Sequence, residues 1–71
     1  MHQINPRKLR LSKWTSLSPQ KKEKHFIVTE LLYDDQENVI ECVIEAVLTH
    51  QEYTLSWHDL KSAEHWQQGW H

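Results

Sequence analysis

A chain of 71 residues with ten Asp and Glu, eight Lys and Arg, six His, four Trp, one Gly and a single Cys has room for one small domain, residues 1–71. Ordering it costs on the order of 100 kcal/mol at roughly 1.5 kcal/mol per residue, so little apolar surface can stay outside a core. The lone Cys excludes an internal disulfide and a Cys-rich zinc site, and 25% charged with 38% apolar residues excludes a disordered or membrane-spanning chain.

Residues 1–7 read as a flexible lead. No apolar stretch follows their basic residues, so no secretory signal is expected, and the free thiol suits a reducing cytoplasm. Leu9 and Leu11 alternate with Lys8, Arg10 and Ser12 and run into Lys13-Trp14-Thr15, which predicts a half-buried strand over 8–16 with a basic outer face. Ser18-Pro19-Gln20-Lys21-Lys22 is polar and contains Pro, a surface-loop pattern. His25 to Tyr33 is rich in aromatic and branched residues, and Asp34-Asp35-Gln36-Glu37-Asn38 reads as the hairpin turn that follows it.

Val39 to Thr49 fits two periods. Val39, Ile40, Val43, Ile44, Val47 and Leu48 form a helical stripe, whereas Ile40, Cys42, Ile44, Ala46 and Leu48 form one face of a strand. The β-branched residues and the repulsion of Glu37, Glu41 and Glu45 at helical spacing favour the strand. Tyr53, Leu55 and Trp57 alternate with Thr54 and Ser56, a strand with one buried face. Ser62 is placed to N-cap a short helix over Ala63 to Gln68, with Gly69 stopping it. The elements predict an α+β, mainly β domain. Its small twisted antiparallel sheet has three to four strands, as an SH3-like or partly open barrel, with a short C-terminal helix.

Two features stand out. The charge is divided: residues 1–24 carry Arg7, Lys8, Arg10, Lys13, Lys21, Lys22 and Lys24 against Glu23 alone, while residues 25–71 carry nine acids against Lys61. Such halves serve as a polyanion-binding arm or as complementary parts of one fold. Arg10, Lys13, Lys21, Lys22 and Lys24, interleaved with Trp14 and near Phe26, have the ingredients of a face for single-stranded nucleic acid. The Trp content is the second feature. It supplies buried area that a short chain lacks, and Trp66 and Trp70, four apart, would share one side of the predicted helix as a clamp or a partner contact.

Catalytic chemistry finds no support. Cys42 lies in an apolar run, and Ser56, His58 and Asp59 do not converge on one strand face. A single Gly makes no phosphate loop, and His58, His65 and His71 lack the spacing that presents two imidazoles from one helix. No catalytic residue, cofactor or metal is expected. Ser12-Lys13-Trp14-Thr15, then His25-Phe26, then Trp66-Gln67-Gln68-Gly69-Trp70 resembles a family of small Trp-rich bacterial proteins known as a domain of unknown function. The resemblance spans nearly the whole chain, favours strand over 39–49, and implies no activity, cofactor or site residue. The expectation is a non-enzymatic module that binds a protein or single-stranded nucleic acid through its basic and aromatic face. The alternative is a structural or oligomerising accessory, monomer or weak homodimer, acting through a sheet edge or the Trp66 and Trp70 pair; no membrane role is expected.

Overall fold

The computed structural model describes residues 5–20 and 22–71, Gln20 through its backbone alone. Of the flexible lead expected over 1–7, residues 1–4 lie outside the described residues, as does Lys21. Five strands, β1 (Lys13–Gln20), β2 (Glu23–Tyr33), β3 (Val39–Ala46), β4 (Glu52–Ser56) and β5 (Trp66–Gln68), form one antiparallel sheet in the order β4-β3-β2-β1-β5. The first four make a meander. A 3-10 helix, Trp57–Lys61, then carries the chain from the β4 edge to the opposite edge, where β5 pairs with β1. The domain is thus mainly β, with five strands in place of the expected three or four.

The expected C-terminal helix is replaced by β5. Ser62 does turn the chain, since its carbonyl accepts from the His65 and Trp66 amides at 3.2 and 3.0 Å. The turn goes no further because a helix well under ~12–15 residues does not hold alone. The competing register, Trp14 with Gln68, Thr15 with Gln67 and Ser16 with Trp66, satisfies the same backbone on a sheet edge. The N-cap role falls to Ser56, which accepts from the His58 amide at 3.2 Å and starts the 3-10 helix whose Leu60 is fully buried.

The strand expected over 8–16 begins at Lys13. Asn5 caps a 3-10 turn, Pro6–Lys8, by accepting from the Arg7 amide, and Leu11 has a φ of 67°. This irregular entry separates the two leucines that strict alternation would pair: Leu9 is buried and Leu11 exposed. Within the sheet, two bulges reset the pattern. Thr29 is the extra residue between the pairs Val28–Ile44 and Glu30–Val43, and Ile40 is the extra one between Leu32–Glu41 and Tyr33–Val39. Hence Val39, Cys42, Ile44 and Ala46 are buried while Ile40 faces out; Leu48 is exposed because it lies in the turn beyond β3.

Trp14 is the largest fully buried side chain. Its Nε1 donates to Ser12 Oγ at 2.9 Å, and that hydroxyl donates to the Leu9 carbonyl, so the indole N–H is satisfied inside the core. Around it pack Leu9, Phe26, Val28, Leu31, Val39, Cys42, Ile44, Ala46 and Leu60. At the β2–β3 turn the Asp34 carboxylate accepts from the Gln36 and Asn38 amides, and these backbone bonds hold its pKa below the ordinary carboxylate value.

Trp14→Ala is expected to cost about 3–5 kcal/mol and to leave the chain largely unfolded at 25 °C, read by near-ultraviolet circular dichroism and denaturant melts. Gly69 holds a φ of 82° between β5 and Trp70. Gly69→Ala should lower stability by about 1–2 kcal/mol in the same melts, because an L side chain is strained there.

Candidate functional site

Residues directly opposite in an antiparallel pair share a face. Trp14, Phe26 and Ala46 form a row on the inner face, and Lys13, Ile27, Glu45 and Glu52 form the neighbouring row on the outer face. The inner row opens into a groove of ≈ 400 Å³ lined by residues of all five strands, among them Ser16, Glu23, Phe26, Tyr53, Leu55 and Trp66.

Three rings shape this groove. Phe26 is buried at 6% exposure, with Trp66 set against it at 5.3 Å and 78° and Tyr53 at 6.3 Å and 67°. Beneath them lies the carboxylate of Glu23, buried at 5% exposure, which accepts from the Tyr53 hydroxyl at 2.5 Å and from the Thr49 hydroxyl. The hydrogen bond to Glu23, then burial and the Glu23 charge, raise the Tyr53 phenol above its ordinary pKa, so Tyr53 remains a donor.

The structure separates the residues expected to form a basic and aromatic face. Trp14 is in the core and offers no ring to a ligand. Lys13 lies on the outer face with its Nζ 4.8 Å from the centre of the Trp70 ring. Lys22 and Lys24 flank His25, Val47 and Leu48 near the start of β2, and Arg10 is exposed elsewhere. Arg7 donates to the Glu37 carbonyl beyond the far end of β2, a strand of 11 residues that spans ~36 Å at 3.3 Å per residue. The cations whose positions are described are therefore spread along the sheet.

Trp66 and Trp70 do not share a side. Trp66 packs inward on the Phe26 ring, while after Gly69 the chain crosses to the outer face. There Trp70 Nε1 donates to the Phe26 carbonyl at 3.0 Å and its ring stands 6.1 Å from that of His25. The His71 amide donates to Thr15 Oγ1, and His25 Nε2 donates to the His71 carbonyl at 2.9 Å. The two indoles clasp the sheet from opposite faces.

Spacing alone does not mark Glu23 and Tyr53 as site residues. The available signal was that Glu23 is the single acid among residues 1–24, an odd charge in a basic segment. Of the other reactive groups, the Ser56 hydroxyl serves as a helix cap, and His50 Nδ1 meets Glu45 at 2.8 Å. The Cys42 thiol is pushed up to about 11 by burial, reinforced by the charges of Asp59 and Glu41. No group of three His, Cys, Asp or Glu is placed to hold a metal among the described residues, and no helix there is long and apolar enough to cross a membrane.

Residues 12–71 match the model of a family described as Tryptophan-rich protein (DUF2389). No curated protein and no solved structure gives a significant match to the chain.

Cys42 is expected to resist a thiol reagent at pH 8 in the folded protein and to react fully in denaturant. Its raised pKa stabilises the fold below pH 9.0, and that contribution is lost as pH rises towards about 11, because the unfolded thiol ionises first. Melts from pH 8 to 11 on the parent and on Cys42→Ala check the sign, the parent losing stability faster.

Proposed function

The chain belongs to this Trp-rich family, and we propose that it is a non-enzymatic interaction module holding an extended peptide of a partner protein in the groove between its two sheet edges. In this reading the domain is an SH3-like, partly open barrel. The strand order β4-β3-β2-β1-β5, with a 3-10 crossover joining the two edges, supports it.

The observation that carries the reading is the set of rings on the open groove. A chain this short needs its aromatic area inside, yet Tyr53 is 38% exposed and Trp66 is only partly covered, both on the same concavity. Partly covered Tyr and Trp around a preformed hollow are the usual anchors of an interface. A protein partner fits better than a nucleic acid. A carboxylate sits under the groove, Trp14 is unavailable for stacking, and Lys13 occupies one approach to Trp70. The sheet edges, five residues in β4 and three in β5, offer few main-chain groups for strand addition by a second copy. The unpaired Cys42 suits a reducing cytoplasm.

A peptide-display selection on the intact chain tests this reading. Enriched peptides should lose at least about tenfold in affinity on Tyr53→Ala, which removes an anchor, and on Ser16→Arg, which fills the groove from β1 opposite Trp66. Both variants should still show a cooperative melt. Absence of any enriched peptide, or affinities unchanged by both substitutions, would overturn it.

A further inference from the structure

We propose that the groove receives an alkylammonium side chain of the partner peptide, a lysine and best a methylated lysine; this deepens the reading above and rests on it. Tyr53 comes from the β4 edge and Trp66 from the β5 edge, on opposite sides of β2, and both stand nearly perpendicular to Phe26. All three rings line one hollow, with the two partly exposed rings, Tyr53 and Trp66, set across Phe26. Aromatic rings clustered around a hollow attract a cation, and aromatic cages suit quaternary ammonium groups.

The polar groups bear on the same hollow. Glu23 is buried at its side and accepts from the hydroxyls of Tyr53 and Thr49. It acts on a ligand through Tyr53. A phenol that donates to a carboxylate becomes more electron-rich in its ring, which strengthens the attraction for a cation. A methylated ammonium fits this division well: it has few or no N–H groups to satisfy, and its methyl groups can lie against rings at little desolvation cost. Leu55 and Ile44 give the alkyl stem an apolar lining, and Ser16 and Thr54 lie at the rim where peptide backbone would pass. The hollow of ≈ 400 Å³ lies in the ~300–1,000 Å³ range of small-ligand sites, larger than one side chain and able to admit its neighbours.

The test uses the intact chain and one peptide sequence in four forms. Its central residue is lysine, trimethyllysine, the neutral isostere with carbon in place of the ammonium nitrogen, or glutamate. Calorimetry and Trp fluorescence report binding. Trimethyllysine should bind tightest, the neutral isostere about tenfold weaker, and glutamate not measurably. Tyr53→Phe, which removes the link to Glu23, should narrow the gap between trimethyllysine and its neutral isostere to about threefold or less while the neutral form binds as before. Glu23→Gln should do the same, and Tyr53→Phe serves alone if that variant does not fold. Equal affinity for the cationic and neutral forms would overturn the alkylammonium assignment and leave the peptide groove standing. So would failure of all four forms while a display-selected peptide still binds. If neither the series nor any selected peptide binds, both readings fall together.

Discussion

Phe26 carries contacts from every other strand of the sheet. It lies opposite Trp14 of β1 and Ala46 of β3, its ring meets Tyr53 of β4 and Trp66 of β5, and its carbonyl accepts from Trp70 beyond β5. The sheet depends on this convergence because its last strand is weak by itself. β5 has three residues and pairs on one side only, too little backbone to hold an edge. The Trp66 ring on one side of Phe26 and the Trp70 N–H on the other supply what the short ladder lacks. Smallness explains the demand: each indole placed on β2 covers on the order of 150–250 Å² that aliphatic side chains on so few residues would not reach.

The division of charge along the chain reappears in one row of the outer face. In the outer row, Lys13 on β1 is followed by Ile27, then Glu45 on β3 and Glu52 on β4. In that row basic and acidic residues are kept apart by Ile27, while Lys22 and Lys24 stand beside Val47 and Leu48 after β3. Arg7 spends its guanidinium on a backbone carbonyl, and Glu45 meets His50 within the acidic half. Exposed pairs of this kind contribute little to stability, so the core and the ring contacts hold the fold.

Aromatic and branched residues gave the strand character of His25 to Tyr33, β-branching and glutamate repulsion that of Val39 to Ala46, and period-two alternation that of Tyr53 to Ser56. Alternation could not give the faces. A single extra residue at Thr29 or Ile40 inverts everything beyond it, and nothing in the residue types marks either bulge. The same limit separated Leu9 from Leu11, where a positive φ at Leu11 breaks the strand that the leucines appear to share on paper. The terminal helix failed for a different reason: the signals at Ser62 and Gly69 are genuine, but they mark one turn and a crossover, and long-range pairing with β1 claims the residues between them. Of the groove, Trp66 was visible in the sequence as an unusual residue. Its juxtaposition with Tyr53 and Glu23 was not, since it depends on which edges the crossover brings together.

That crossover also explains why the groove stays open. If β4 and β5 were hydrogen-bonded, the sheet would close, and Tyr53 and Trp66 would meet over Phe26 and fill the hollow. The 3-10 helix instead anchors itself through Leu60 in the core and delivers the chain to β1, leaving β4 and β5 as separate edges. An unclosed end normally costs a small domain the packing it most needs. Here the loss is offset from outside the groove. Gly69 turns the chain onto the outer face, where Trp70 and His71 bind Phe26, Thr15 and His25. Because the Trp70 and His71 share of the restraint on β5 lies on the opposite face from the rings, the inner hollow can remain unfilled while the edge that forms one of its walls is held in place.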